Sequence, residues 1–178
     1  MFAQLLIDIT PTTFVDMAER LGIGEDRIDP ICAAVLGSED VNMVEMATVY
    51  STFSRSGSRV DPTYVTSITN ADGTELYRHT PEAGTVLTRS NADTLTESLV
   101  RVIDSGTGRR AQLEDGRPAA GKTGTAQNNA DATFLGYTPQ RTAGVWVGFP
   151  EGQIPMRGLF NGGSVQGGTY PAVIWGDI

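Results

Sequence analysis

The stretch Ala120-Gly121-Lys122-Thr123-Gly124-Thr125-Ala126 decides how this chain is organised, because it holds the only lysine among 178 residues. All other basic side chains are arginine. A lone ammonium among arginines favours a position that needs a compact, rotatable point charge. The surrounding glycines and threonines are typical of a strand edge along which a ligand or another chain is laid. In such a strand Thr123 and Thr125 share one face, and Lys122 lies on the other.

A phosphate-binding loop is a second interpretation of the same region, since Gly116-Arg117-Pro118-Ala119-Ala120-Gly121-Lys122-Thr123 also satisfies the P-loop pattern. That interpretation requires a buried apolar strand before the loop and a helix that begins at the lysine. Residues 111–115 do not have the composition of a buried strand, and residues 124–129 are a poor helix start. Nucleotide binding is therefore kept only as a minor alternative.

Composition predicts one globular domain, since 39% of the residues are hydrophobic. The 21 acidic and 13 basic side chains give a formal charge of −8, which argues against a nucleic-acid partner because a polyanion would be repelled. Cys32 is the only cysteine, and we expect it to be a small buried side chain. No targeting sequence is evident, and no apolar run approaches the roughly 20 residues that span a bilayer.

Helical segments are predicted over residues 1–57 and 90–105. Apolar side chains at helical spacing begin at residue 1 without a cap, which indicates a cut end. Thr10 is a natural N-cap before Pro11 at the first helical position, and this helix should end at Gly22.

Two further helix starts are predicted from capping patterns. Asn42 with Glu45 resembles a capping box, and the apolar stripe that follows it should pack in the core. Ser90 with Asp93 should open the helix over 90–105.

The remaining segments favour β-structure. A hairpin is predicted over 64–77 around Asp72-Gly73, and His79 after it should lie on the surface. The sheet strands are expected within 119–149, where Trp146 and Phe149 should be core residues. Residues 150–178 should form a glycine-rich loop and the start of a C-terminal helix.

Several further motifs accompany Lys-Thr-Gly-Thr in a fixed order. They are Met17-Ala18-Glu19-Arg20-Leu21-Gly22-Ile23, Met46-Ala47-Thr48-Val49-Tyr50, Ser105-Gly106-Thr107-Gly108, Phe134-Leu135-Gly136-Tyr137-Thr138-Pro139, Gly144-Val145-Trp146-Val147-Gly148 and Gly167-Gly168-Thr169-Tyr170-Pro171-Ala172. In order and spacing the set resembles the second half of the transpeptidase domain of a class A (bifunctional) penicillin-binding protein. The resemblance implies an α+β fold of the penicillin-binding protein/β-lactamase type, here partial. Residues 1–178 would be the C-terminal portion of one such domain, with antiparallel strands, flanking helices and truncation at both ends.

The resemblance also implies a role for each residue of the motif. Lys122 would hold the proton network of a Ser-x-Asn motif and attract the substrate carboxylate. The hydroxyls of Thr123 and Thr125 would bind that carboxylate, with Gly124 between them as part of the same substrate-binding strand. The backbone N–H of Thr125 would be one of two oxyanion donors. No cofactor and no metal are implied.

The sequence departs from the family at the nucleophile. With its one lysine at position 122, the chain contains no Ser-x-x-Lys, and no Ser-x-Asn precedes the motif. We therefore expect the isolated chain to be inactive and its partner to be the missing N-terminal half of the domain. The complete domain would bind D-alanyl-D-alanine stem peptides and β-lactams at the extracytoplasmic face of the bacterial membrane.

Two classes of function remain open. The chain is either a part of an acyltransferase that cross-links stem peptides, or a noncatalytic binding or scaffold module that keeps the Lys122 strand as a ledge. The complete Lys-Thr-Gly-Thr favours the first class, because a pure scaffold has no physical need for that set.

Overall fold

The computed structural model describes residues 2–178; the predicted helix start at residue 1 lies outside the described residues. The helices are α1 (Phe2–Ile9), α2 (Pro11–Leu21), α3 (Met43–Ser54), α4 (Arg89–Asp104) and α5 (Tyr170–Gly176). The strands are β1 (Ser58–Val60), β2 (Ser67–Thr69), β3 (Glu75–Arg78), β4 (Ala83–Thr85), β5 (Ala120–Thr125), β6 (Asp131–Tyr137) and β7 (Thr142–Gly148). Among residues 2–178, no helix combines the length and the apolarity needed to cross a membrane.

A three-stranded antiparallel sheet in the order β5-β6-β7 forms the centre of the structure. Opposite residues of an antiparallel sheet share a face, and Thr123, Phe134 and Val145 are paired across its three strands. On their face Phe134 packs against Trp175 of α5, with ring centroids 5.3 Å apart. The predicted arrangement of antiparallel strands with flanking helices is confirmed.

The other face of the sheet packs against α3. Leu135 and Tyr137 of β6 form a buried cluster with Val49 and Tyr50 of α3 and Leu99 of α4. Helix α4 also contributes Ile103 to the cluster on the opposite face. A hydrogen bond of 2.8 Å between the Thr96 and Tyr137 hydroxyls joins α4 to β6. The sheet is therefore fixed from both sides, with β5 and β7 at its edges.

The helix boundaries follow local capping chemistry. The Thr10 hydroxyl accepts from the Thr13 amide, and Gly22 ends α2 at φ 116°, a conformation that favours glycine. Asn42 and Glu45 form the predicted capping box at α3.

The predicted start of α4 was wrong. Its N-cap is Thr88, whose hydroxyl accepts from the Asn91 amide at 3.3 Å, and not Ser90. Two hydroxyl residues lie near this end, and the one that adopts the extended backbone of a cap takes the role.

The hairpin is shorter than predicted, because its first strand begins at Ser67 and not at Tyr64. Its turn contains Asp72-Gly73, and Gly73 has φ 86°. Both strands are exposed along their length, so the hairpin extends from the body of the domain.

Three burial predictions need correction. Trp146 lies on the edge strand β7 and is 43% exposed, and its indole N–H donates to Asp131 at 2.9 Å. Phe149, directly after β7, is 37% exposed. Cys32 is exposed, in the irregular segment between α2 and α3. His79 is partly exposed between exposed neighbours, which agrees with the surface position predicted for it, and its Nδ1 lies 3.5 Å from the Tyr77 hydroxyl.

Candidate functional site

Lys122 lies in the middle of β5, an edge strand of the central sheet. The phosphate-loop alternative is wrong, because a P-loop lysine lies at the start of a helix whose N–H groups face the phosphates. Here the lysine lies within a strand, and the segment after it is a single 3₁₀ turn over Gln127–Asn129.

The backbone of β5 presents peptide groups to solvent at alternate residues. In an antiparallel ladder, pairs that exchange hydrogen bonds alternate with pairs that do not. The Ala126 amide donates to Asp131 O at 2.9 Å, which places Gly124 and Lys122 at bonded positions facing β6. The peptide groups of Thr123 and Thr125 therefore point away from β6, toward the open edge.

The Lys122 side chain follows this edge. Its Nζ donates to Thr123 O at 2.9 Å, which uses one of the three donors of an ammonium. The side chain is exposed, and Lys122 takes part in none of the ion pairs found among residues 2–178. The positive charge is thus available to an anionic ligand.

The two threonines lie on the opposite face of the strand from Lys122. Thr123 is paired with Phe134, whereas Lys122 is paired with Leu135 on the other face. Thr123 Oγ1 and Thr107 Oγ1 are 2.7 Å apart, and Thr125 Oγ1 accepts from the Gly167 amide at 3.0 Å. Each hydroxyl is therefore held by a segment distant from it in sequence.

Glycines allow these segments to approach the strand. A Cβ atom at position 167 would lie 2.4 Å from Thr133 O and 2.5 Å from Gly124 O. A Cβ at position 124 would lie 2.3 Å from Thr133 Oγ1. A side chain at position 124 would therefore force the Thr133 hydroxyl of the neighbouring strand to rotate away.

Lys122 and Thr125 are both exposed, so the candidate site is an open ledge along β5. Two clefts of about 370 Å³ each indent the part of the surface that the structure describes. One lies beside Arg20 and Arg59 and the other beside Phe53 and Tyr137, and neither is lined by residues 122–125. Within residues 2–178, no group of His, Cys, Asp and Glu side chains could hold a metal ion.

Comparison with known proteins identifies the family. The profile described as "Transpeptidase: Penicillin binding protein transpeptidase domain" matches residues 1–153. The chain belongs to the penicillin-binding protein transpeptidase family.

Relatives of this transpeptidase chain are class A penicillin-binding proteins. Penicillin-binding protein 1A of Aquifex aeolicus is 33% identical over 127 residues, covering 71% of this chain and 17% of the relative. Penicillin-binding protein 1A of Mycobacterium tuberculosis is 32% identical over 172 residues, covering 92% of this chain and 21% of the relative. The chain thus spans about a fifth of the length of the curated relatives it matches.

Solved structures show the same fold. PonA1 of Mycobacterium tuberculosis, in complex with penicillin V, superposes with a TM-score of 0.86 at 28% identity, covering 97% of this chain and 50% of that one. Penicillin-binding protein 1A of Haemophilus influenzae superposes with a TM-score of 0.82 at 18% identity, covering 98% of this chain and 31% of that one. The partial penicillin-binding protein/β-lactamase-like fold is confirmed.

The predicted site residues Lys122, Thr123, Gly124 and Thr125 lie together on β5, as a contiguous segment must. The sequence analysis missed Thr107 and Gly167, which contact the two threonine hydroxyls. Both were present in quoted motifs, Ser105-Gly106-Thr107-Gly108 and Gly167-Gly168-Thr169. Nothing in a linear sequence indicates that these two segments meet on one strand.

Proposed function

We propose that this chain supplies the Lys122 side of a peptidoglycan D,D-transpeptidase site, in which a serine forms an acyl-enzyme with a stem peptide. The observation that carries the proposal is the open edge of β5, where outward peptide groups lie beside the exposed ammonium of Lys122. That ammonium is in none of the ion pairs found among residues 2–178. An extended peptide adds to such an edge through main-chain hydrogen bonds. A D-alanyl-D-alanine terminus is an extended peptide that ends in a carboxylate.

Each residue of the motif has a distinct role in this proposal. The serine oxygen attacks the carbonyl carbon of the penultimate D-alanine, and the Thr125 N–H donates to the oxygen on which negative charge develops. The terminal D-alanine leaves as an amine, and the amine of a neighbouring stem peptide then takes the acyl group. Lys122 attracts the terminal carboxylate and holds the proton network beside the serine, while the threonine hydroxyls donate to that carboxylate.

The nucleophile must come from outside this chain, since no serine here is followed three residues later by lysine. The exposure of Lys122 and Thr125 supports the same idea, because an acyl-transfer site works in a water-excluded cleft. We call the polypeptide in which this chain is preceded by the upstream half of a class A transpeptidase domain the complete domain.

The partners of the complete domain follow from the same chemistry. PonA1 was solved with penicillin V, which supports β-lactams as ligands that occupy the same site. Stem peptides are found outside the cytoplasmic membrane, so the proposal puts the parent protein at the extracytoplasmic face. A noncatalytic ledge is the competing proposal, and it predicts binding without an acyl-enzyme.

Acylation of the complete domain by a fluorescent penicillin tests the proposal. A donor or charge aimed at the developing oxyanion or at the substrate carboxylate is typically worth about a hundredfold or more in rate, so Lys122→Ala should slow acylation by at least about that factor. Thr125→Val should slow it less, because the backbone N–H remains. Arg89→Ala is the matched control for loss of an exposed cation, since Arg89 at the start of α4 pairs with Asp93 at 3.5 Å, away from β5. Unchanged acylation in Lys122→Ala would refute the assigned role, and binding without acylation of the wild-type domain would favour the noncatalytic ledge.

A further inference from the structure

Thr107 is the side chain that contacts the hydroxyl of Thr123, at an Oγ1–Oγ1 distance of 2.7 Å. It lies 16 residues before Thr123, in the loop between α4 and the 3₁₀ turn Arg109–Ala111. Its side chain is exposed at the ledge and is not needed to fill the core.

The loop around Thr107 is fixed closely against the sheet. A Cβ at Gly108 would lie 2.9 Å from the Phe134 ring, and the Gly108 amide donates to Val102 O at 2.9 Å. On its other side, a Cβ at Gly168 would lie 2.3 Å from Thr107 O. Arg110 Nη1 donates to Gly168 O at 3.1 Å and joins the two loops. Thr107 is thus held between α4, β6 and the glycine-rich loop.

The direction of the hydrogen bond between the two threonines determines what Thr123 can bind. A hydroxyl has one proton to donate and can also accept, whereas a carboxylate only accepts. If Thr107 donates to Thr123 Oγ1, the Thr123 proton is free to point to an anion at the edge. The reverse direction would use the Thr123 proton inside the protein.

The hydrogen bond of Thr125 has only one possible direction. The Gly167 amide can only donate, so Thr125 Oγ1 is the acceptor and its own proton is free. With Thr107 donating to Thr123, both hydroxyls of the strand accept one protein hydrogen bond and direct one proton outward. Hydrogen-bond chains of this kind strengthen the terminal donor, because each bond polarises the next.

We propose that Thr107 is a positioning residue of the transpeptidase site, which donates to Thr123 and so orients the Thr123 hydroxyl as a donor to the carboxylate of the substrate. This inference rests on the proposed function of the Lys122 strand. Thr107 acts through Thr123 and does not itself touch the substrate.

The test measures the second-order rate of penicillin acylation in the complete domain for Thr107→Val, Thr123→Val and the double variant. A hydrogen bond to a charged group is worth about one decade in an equilibrium or rate, so Thr107→Val should slow acylation about tenfold. Thr107→Ser keeps the hydroxyl and should restore the rate. The double variant should be no slower than Thr123→Val alone, since Thr107 has no route to the substrate once Thr123 has lost its hydroxyl.

Thr94→Val is the matched control, because Thr94 is an exposed threonine of α4 whose hydroxyl donates to Ser90 O within the same helix. It should acylate at the wild-type rate. Thr107→Ala carries the same expectation as Thr107→Val, in case the branched apolar side chain disturbs the loop.

The outcomes separate this inference from the proposed function. A wild-type rate in Thr107→Val beside a slow Thr123→Val would overturn the role of Thr107 alone. The role of Thr107 would also be overturned if the rate losses of Thr107→Val and Thr123→Val multiplied in the double variant. It would be overturned as well if Thr107→Ser acylated as slowly as Thr107→Val. If Lys122→Ala and Thr123→Val both acylate normally, the proposed function fails, and the inference fails with it.

Discussion

Replacing Gly167 by alanine should damage both the stability and the site of the complete domain. The new Cβ would lie 2.4 Å from Thr133 O, 2.5 Å from Gly124 O and 2.7 Å from Gly124 N. All three are backbone atoms of the central sheet and cannot move as a flexible side chain would. The loop must therefore move away from β5, and the 3.0 Å hydrogen bond from the Gly167 amide to Thr125 Oγ1 must lengthen or break.

The magnitude follows from two contributions. Overpacking typically costs about 1–3 kcal/mol, and the lost hydrogen bond costs about 1 kcal/mol. The free energy of unfolding should thus fall by about 2–4 kcal/mol. Since about 1 kcal/mol moves the thermal midpoint by roughly 2–4 °C in a domain of 150–250 residues and by less in a larger one, the midpoint of the complete domain should fall by several degrees.

Calorimetry and penicillin acylation measure the two effects on the same samples. Gly84→Ala in β4 is the matched control, because a Cβ there meets nothing within 4 Å and Gly84, like Gly167, has no positive φ. It should melt and acylate like the wild type. If Gly167→Ala has the same thermal midpoint as Gly84→Ala, the loop does not approach β5 closely, and the argument from backbone contact is refuted.

Three further predictions concern the chain as a whole. The isolated chain should form no covalent penicillin adduct, and a mass shift of one antibiotic molecule would show that it does contain a nucleophile. Burial raises the pKa of Tyr50 to about 12. Because the tyrosine of the unfolded chain ionises at lower pH than the folded one, the free energy of unfolding should be highest below about pH 10 and should fall as the pH rises toward 12. Tyr50→Phe should flatten that fall in a pH series of melting curves. The isolated chain should associate through the open edge of β7, where Val147 and Trp146 are accessible; a stable 19.0 kDa monomer by light scattering would contradict this.

Local chemistry explains what the sequence predicted well. The capping box at Asn42, the turn at Asp72-Gly73 and the end of α2 at Gly22 each depend on residues within a few positions of one another. Such patterns identify an element and its ends without knowledge of the fold. The Lys122 strand was predictable for the same reason, since its alternation is a property of six consecutive residues.

Burial was harder to predict, because it depends on which neighbours a strand has. Tryptophan is a residue type expected in a core, but Trp146 lies on β7 at the edge of the sheet. The indole N–H of Trp146 donates to Asp131 on β6. A tryptophan with one polar partner and a half-exposed ring fits an edge as well as a core. The sequence contains the residue type but not the strand order that decides between the two.

The site itself is the clearest case of a property that no local pattern contains. Thr107, Thr123 and Gly167 lie far apart in the chain, yet the hydroxyls of the strand are held by the other two segments. Glycines at 108, 167 and 168 each remove a Cβ that would crowd the sheet or the neighbouring loop at this convergence. The Lys-Thr-Gly-Thr strand is therefore one of three segments that form the candidate site, and the other two contain Thr107 and Gly167. In the proposed arrangement the hydroxyl protons of the strand face outward because two other loops supply the hydrogen bonds that fix them, and a strand transplanted without those loops should lose that orientation.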